Sequence, residues 1–166
     1  MCSLNSLKTA DSSPPIEVRV FSAFEDKLIG AAAVILNLER HVLLVKHSYG
    51  KYNWELPVGL SEAQESAEES ARREVLEETG LTITQESLTG VYYDPGNDMH
   101  HFVFTCKEDS DQAPKPCSPE IVECKYCAVD DLPRPISDFT VQRILHALNP
   151  ASQQLFHVIG PRQWNE

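Results

Sequence analysis

The segment from Gly59 to Leu81 constrains the fold of this chain more than any other stretch, because it carries both the start and the stop signals of a helix. Ser66 followed by Glu69 three residues later matches a capping box, which predicts a helix over residues 66–79. Gly80 is placed to end that helix, since glycine accepts the left-handed backbone conformation of a helix C-cap. Small apolar residues recur every fourth position and predict one narrow buried face: Ala67, Ala71 and Val75.

The same helix carries three glutamates on one face. Glu74, Glu77 and Glu78 stand at positions i, i+3 and i+4, so their carboxylates project together. Like charges at these spacings repel and lower helix stability unless a cation binds among them. Oxygen ligands of this kind suit Mg²⁺ or Mn²⁺ better than Zn²⁺. Val75 and Leu76 are expected to hold the opposite side of the helix against a sheet, which fixes the acidic face in place. The alternative is a solvated acidic helix face.

The residues of this segment resemble the Nudix box, a pattern of restricted positions spread over 23 residues. Every restricted position is matched, in order, by Gly59, Glu65, Arg73, Glu74, Val75, Glu77, Glu78, Gly80 and Leu81. The stretch Trp54–Pro57 is similar to the lead-in of Nudix domains, and Asp130–Pro133 is similar to their late Asp-x-Leu-Pro turn. Val58 and Gln64 depart from the pattern, because glycine is usual at both positions.

Apolar patterning over the rest of the chain predicts several strands and a second helix in one α/β or α+β domain. Ile29–Leu36 and Val42–Val45 flank a polar turn and are expected to pair as a hairpin. Asp138 is expected to cap a helix over Phe139–Leu148. The tail after residue 149 shows no clear period. The other predicted extended segments are Val18–Phe21, Trp54–Leu56, Leu88–Tyr93, His101–Cys106 and Ile121–Val129.

The resemblance implies an α/β (α+β) Nudix fold, with a mixed β-sheet sandwiched between helices. It covers residues 17–149. We expect residues 1–16 to form a flexible N-terminal arm, and residues 150–166 to form a C-terminal extension that packs on the domain.

The resemblance also implies a reaction, the Mg²⁺-dependent hydrolysis of a diphosphate bond, with Mn²⁺ as an alternative cofactor. The implied substrate is a small molecule, a nucleoside diphosphate linked to another group, such as a nucleoside triphosphate or a nucleotide sugar. Two alternatives stay open. The substrate could be a non-nucleoside diphosphate such as an isoprenyl diphosphate, or the chain could be a catalytically silent nucleotide-binding domain. The intact set of box carboxylates favours an enzyme.

The implied site residues share acidic or backbone oxygens near the box. The predicted metal ligands are Glu74, Glu77, Glu78, Glu120 and the carbonyl of Gly59, and the first three are also the predicted catalytic residues. Glu74 and a carboxylate outside the box both remain candidates for the general base.

Two further groups of residues are predicted around these ligands. Arg73 and Glu65 are expected to form a structural pair that supports the site. Tyr49, Trp54 and Phe139 are expected to contact the substrate, with core or rim packing as the alternative role of these aromatic side chains.

The net charge of -11, from 25 acidic and 14 basic residues, excludes several partners. An acidic surface repels nucleic-acid polymers and anionic membranes. No apolar run is long enough to span a bilayer, and the N-terminus does not read as a secretory signal. Five cysteines, an odd count, favour reduced thiols, and Cys124-x-x-Cys127 falls in a predicted strand. A cytoplasmic protein is therefore expected, and the resemblance to Nudix domains leaves both a monomer and a homodimer open.

Overall fold

The computed structural model describes residues 27–109, 111–149 and 154–166, so the predicted arm at 1–16 and the predicted strand Val18–Phe21 lie outside the described residues. Within those ranges the chain forms ten strands and two helices. They are β1 (Leu28–Ile35), β2 (Val42–His47), β3 (Trp54–Glu55), β4 (Val58–Leu60), α1 (Ala67–Thr79), β5 (Ile83–Asp94), β6 (Met99–Glu108), β7 (Ile121–Cys127), β8 (Ile136–Ser137), α2 (Asp138–Leu148), β9 (Phe156–Val158) and β10 (Trp164–Asn165).

The strands form two five-stranded sheets with the orders β4-β1-β6-β5-β9 and β10-β8-β3-β2-β7. Both sheets are mixed, because β1 runs parallel to β6 and antiparallel to β4, while β3 runs parallel to β8 and antiparallel to β2. The predicted α/β architecture with mixed pairing is confirmed. Neither helix in the described ranges has the combination of length and hydropathy that crossing a membrane would need.

The predicted hairpin between the first two strands is wrong, because β1 and β2 belong to different sheets and only a single bridge, Leu36 to Val42, joins their ends. Strand β1 is buried on both faces. Ala31, Ala33 and Ile35 pack into the cluster beneath α1, whereas the residues between them pack into the cluster beneath α2. A strand that is apolar on both faces carries no signal that selects its neighbour.

Helix α1 begins and ends at the predicted residues. Ser66 is the N-cap, its hydroxyl accepts the Glu69 amide at 3.2 Å, and the Glu69 carboxylate accepts the Ser66 amide at 2.8 Å. Gly80 adopts φ 72° and donates its amide to the Leu76 carbonyl, which closes the helix. Val75 is fully buried as expected, but Leu76 is 50% exposed. The prediction that Leu76 packs against the sheet is therefore wrong, because consecutive helix positions lie about 100° apart around the axis.

Helix α2 is capped by Ser137 rather than by Asp138, since the Ser137 hydroxyl accepts the Thr140 amide at 3.1 Å. Asp138 instead fastens the C-terminal segment. Its Oδ1 accepts the backbone amides of Phe139 at 2.8 Å and Gln163 at 2.9 Å. The predicted cap is therefore displaced by one residue. The hydrogen bond from Gln163 to Asp138 holds the C-terminal segment against the start of α2.

The C-terminal segment 154–166 contains two short strands where the sequence shows no period. Strand β9 pairs parallel to β5 at the edge of one sheet, and β10 pairs antiparallel to β8 at the edge of the other. Ile159, between them, lies in the core cluster beneath α2. The tail therefore joins both sheets.

Candidate active site

A cleft of about 600 Å³ opens between α1, β4 and the turn that precedes β7. Helix α1 supplies its acidic face to this cleft, β4 supplies backbone, and the turn supplies a further acid from the opposite side. The structure thus brings together most of the predicted site residues. Those that line the cleft are Tyr49, Gly59, Arg73, Glu74, Glu77, Glu78 and Glu120.

Glu78 is the most deeply buried acid of the cleft, at 6% exposure. Its Oε2 accepts the Val58 amide at 3.2 Å, which ties α1 to β4. Burial raises the pKa of Glu78 to about 8, the hydrogen bond from Val58 opposes that rise, and the negative charges of Glu74, Glu55 and Glu120 add to it. A carboxyl in this setting is costly to ionise unless a cation is near.

Glu74 lies against the backbone of β4. Its Oε1 accepts a hydrogen bond from Arg73 Nη1 at 2.6 Å, and burial raises its pKa while Arg73 lowers it. A Cβ on Gly59 would stand only 1.9 Å from Glu74 Oε1, so a larger residue at this position would displace the Glu74 carboxylate. Glu77, in contrast, is more than half exposed and lies 3.4 Å from Arg73 Nη1.

Arg73 is held in place by Glu65 and by the β4 backbone. Its Nε and Nη2 donate to the two carboxylate oxygens of Glu65 at 2.9 and 3.0 Å, and Nη2 also donates to the Leu60 carbonyl at 2.9 Å. The hydrogen bonds from Arg73 lower the pKa of Glu65 to about 2. This bidentate geometry orients the guanidinium, which in turn positions Glu74.

The three predicted substrate contacts separate in the structure. Tyr49 is exposed, lines the cleft and stacks on His47 with ring centroids 4.9 Å apart. Trp54 and Phe139 are both 3% exposed and belong to the core cluster beneath α2, so their predicted contact with substrate is corrected to core packing. Each ring carries a cation on its face, Lys125 Nζ at 4.4 Å over Trp54 and the Arg143 guanidinium at 4.0 Å over Phe139.

A buried ion pair behind the cleft is absent from the sequence prediction. Arg143 Nη2 donates to Glu55 Oε1 at 2.7 Å, and the Thr140 hydroxyl donates to the same carboxylate. The only sequence signal for this ion pair was the position of Glu55 in the Trp54–Pro57 lead-in. The partners of Glu55 lie in α2. The cleft wall also includes Glu62 and Ser118, which the sequence did not single out.

The C-terminal end of α1 is fastened by the loop that carries the opposite cleft wall. The Glu78 carbonyl accepts the Cys117 amide at 3.1 Å and the Cys124 thiol at 3.7 Å. The Thr79 carbonyl accepts the Lys115 amide at 3.0 Å. Partial burial raises the pKa of the Cys124 thiol to about 12, so this thiol is protonated at neutral pH.

A family comparison identifies this arrangement of cleft, helix and sheets. A model of the NUDIX domain matches residues 26–148, which is most of the chain. The chain belongs to the Nudix family. It is a Nudix hydrolase, the class of enzyme that the sequence predicts.

Individual Nudix relatives agree with the family match. A "MutT-like protein" of Streptomyces ambofaciens is 28% identical over 123 residues, which covers 74% of this chain and 78% of the relative. An "ADP-ribose pyrophosphatase" of Methanocaldococcus jannaschii is 36% identical over 73 residues, so this match spans less than half of either protein, at 43% of each. Among solved structures, a Nudix hydrolase from Nitrosomonas europaea is 26% identical with a TM-score of 0.63, covering 74% of this chain and 89% of that one.

Nudix enzymes typically use a divalent metal ion, and the donors of this cleft fit one. They are carboxylate and carbonyl oxygens, the ligands that Mg²⁺ and Mn²⁺ prefer. A cation would also offset the cost of ionising the buried Glu78. As the side chains are placed, no three His, Cys, Asp or Glu residues in the described ranges converge on one point. Three of these carboxylates would therefore share one ion only after side-chain rotation.

Proposed function

We propose that this protein hydrolyses the diphosphate bond of a nucleoside diphosphate linked to another group, with Mg²⁺ as cofactor. The observation that carries the proposal is the acidic cleft, in which Glu74, Glu77 and Glu78 project from one face of α1 toward Glu120 on the opposite wall. A diphosphate is repelled by such a cleft unless a cation neutralises the carboxylates. The cleft chemistry thus favours a metal-dependent reaction on an anionic substrate.

Each predicted metal ligand of the cleft has a proposed role in this reaction. Glu77, Glu78 and the Gly59 carbonyl would hold the ion, with Glu120 as a further ligand. A bound Mg²⁺ supplies neutralisation of the diphosphate charge and a lowered pKa of the attacking water. Glu74 would accept a proton from the attacking water, and Glu120 is the alternative base.

Arg73 positions Glu74 rather than contacting substrate. It already donates to Glu65, to the Leu60 carbonyl and to Glu74 itself, which leaves its guanidinium bound to the cleft wall. Tyr49 is the aromatic side chain at the cleft that can stack on a planar part of the substrate.

The nucleotide part of the proposal is supported by the relative named as an ADP-ribose pyrophosphatase, although that match covers less than half of each protein. The acidic charge of the cleft argues against a nucleic-acid polymer as substrate. An isoprenyl diphosphate remains the competing substrate class, and binding without hydrolysis the competing activity.

A substrate panel tests the proposal. We expect the purified chain to cleave at least one nucleoside triphosphate, nucleotide sugar, dinucleoside polyphosphate or ADP-ribose with Mg²⁺, and none after chelation. We expect Glu77→Gln to lower that rate by about 10²-fold or more, since even outer-shell changes at metal sites cost 10–100-fold. Glu68→Gln, on an exposed position of the same helix, is the matched control and should leave the rate within about twofold of the wild type.

Two outcomes would contradict the proposal. Cleavage of prenyl diphosphates alone would assign the non-nucleoside class. Binding of nucleotides without cleavage of any panel member would assign a silent Nudix domain.

A further inference from the structure

Two cysteines meet at the C-terminal end of α1, on the same backbone oxygen. The Cys117 amide and the Cys124 thiol both donate to the Glu78 carbonyl, at 3.1 and 3.7 Å. The Cys117 sulfur also lies at the end of α1, because it stands 3.0 Å from the point that a Cβ on Gly80 would occupy. Both thiols are free, Cys117 is exposed and Cys124 is partly buried.

The segment between these cysteines forms one wall of the cleft. Ser118 and Glu120 line the cleft, and Cys124 stands in the middle of β7. The Ser48 amide and hydroxyl donate to the Glu120 and Pro119 carbonyls, at 2.7 and 2.9 Å. A covalent link from Cys117 to β7 would therefore close a short ring that contains the whole of this wall.

We propose that Cys117 and Cys124 are a reversible disulfide site that locks the Ser118–Glu120 wall of the cleft. Cys117 lies outside regular strand pairing, so it can adjust to the Cα separation of about 4.4–6.8 Å that a disulfide needs. The site responds to peroxides or to small disulfide oxidants.

The oxidation of the two thiols proceeds in two steps. The exposed Cys117 sulfur attacks a peroxide oxygen, which breaks the O–O bond, gives the sulfenic acid and releases one water. The Cys124 thiol then gives up its proton as its sulfur attacks the Cys117 sulfur, which breaks the S–O bond, and the displaced hydroxyl leaves with that proton as a second water. The two thiols together lose two electrons and two protons, and the peroxide gains them. A dithiol reductant reverses the change by thiol–disulfide exchange.

The other described cysteines do not compete for this link. Cys106 and Cys127 are buried, and Cys127 points into the core cluster beneath α2. Cys127 stands three positions from Cys124 in β7, so the two side chains leave opposite faces of the sheet.

The first test is peptide mapping of the full chain after peroxide treatment and alkylation with N-ethylmaleimide. No Lys or Arg separates Cys117 from Cys124, so one tryptic peptide contains both. We expect that peptide to lose two hydrogen atoms, to take up no N-ethylmaleimide and to recover two alkylation sites after dithiothreitol. Cys117→Ser and Cys124→Ser should each abolish the product, while Cys2→Ser should not. Conversion of Cys117 to a sulfonic acid, or continued alkylation of both thiols, would overturn the proposal.

The second test measures the effect on the cleft. We expect amide hydrogen exchange over residues 118–123 to slow in the oxidised form, whatever the substrate. If the proposed hydrolysis also holds, its rate should fall at least about threefold on oxidation and recover with dithiothreitol, because a small displacement of a ligand wall is costly. Unchanged exchange, or an unchanged rate in an active enzyme, would refute control of the cleft. If oxidation lowered the hydrolysis rate of Cys124→Ser as much as that of the wild type, control of the cleft by this disulfide would be refuted too.

Discussion

Glu78 shows most clearly how the environment of one residue sets its chemistry. It is a surface-type residue on a charged helix, yet the contact of α1 with β4 buries its carboxyl and leaves it one hydrogen bond, from the Val58 amide. Burial opposes ionisation, and the acids around it oppose it further. The carboxyl of Glu78, which we propose as a metal ligand, is therefore also the one whose ionisation a bound cation would favour most.

This conflict predicts a pH-dependent stability. The pKa of Glu78 is about 8 in the folded chain and 4.5 in the unfolded one, so the folded state binds the proton more tightly. The stability due to the proton is fully present below the unfolded pKa and is lost as the pH rises through the folded one. We expect wild-type stability relative to Glu78→Gln to decline on the order of a few kcal/mol across that window, in chelator, by urea unfolding.

Two observations would check this interpretation. Added Mg²⁺ should oppose the decline at high pH, because an ion binds the ionised carboxyl. Glu68→Gln, on the exposed face of α1, should track the wild type at every pH. A constant difference between wild type and Glu78→Gln would show that Glu78 does not titrate in this range.

At the scale of secondary-structure elements, the close approach of α1 to β4 determines the geometry of the cleft. Strand β4 pairs with β1, with Gly59 opposite Ala31, and so presents its backbone to the acidic face of α1. The absence of a side chain at Gly59 lets Glu74 lie directly against the strand. The two elements thus approach closely enough for Glu74 and Glu78 to contact the β4 backbone.

Gly59→Ala tests this close approach. The new Cβ would fall 1.9 Å from Glu74 Oε1, so the carboxylate must move. We expect the rate of Mg²⁺-dependent hydrolysis to fall by about 10²-fold, since displacements of about 1 Å at a site can cost that much. Gly160→Ala is the matched control, because a Cβ there meets nothing within 4 Å. A rate for Gly59→Ala within about twofold of wild type would show that Glu74 need not lie against β4.

At the scale of the whole molecule, the C-terminal segment connects the two sheets. The extension at 150–166 is predicted to pack on the domain, and its described part, 154–166, adds one strand to each sheet. Arg162 lies over the Phe139 ring, with its guanidinium carbon 5.2 Å from the centroid, and Ile159 enters the core. We propose that this segment is part of the folding unit.

Truncating one buried side chain tests that proposal. Ile159 is 7% exposed, while its neighbour Val158 is 76% exposed. We expect Ile159→Ala to lower the free energy of unfolding by about 2 kcal/mol or more, as buried Ile→Ala changes do, and Val158→Ala by less than about 0.5 kcal/mol. Urea denaturation of both variants measures the difference. Equal, small losses would mean that the tail does not contribute to the core.

Charge is also distributed unevenly over the whole molecule. Of the net charge of -11, residues 59–81 account for -5, from seven acids and two arginines, which leaves -6 for the other residues. Nearly half of the net charge of the chain therefore lies in one loop and one helix, and four of the seven acids line the cleft. Under the proposed function, a cation bound among these acids would reverse the local charge and allow a diphosphate to bind.

The sequence by itself determined the features that depend on short stretches of chain. The capping box and Gly80 set the bounds of α1 because caps act within a single turn. Helical geometry alone placed Glu74, Glu77 and Glu78 on one face. The spacing of the box also sufficed to indicate the family, since all its restricted positions lie within one loop and one helix.

Only the tertiary structure decided which distant segments meet. β1 is apolar on both faces, so its pattern could not exclude β2 as a partner. The residue types of Trp54 and Phe139 left both core packing and substrate contact open, and only the structure shows that both are buried. The ion pair of Glu55 with Arg143 joins positions 88 apart in sequence. The two- and three-residue tail strands are too short to show a period, so only pairing with the existing sheet edges creates them.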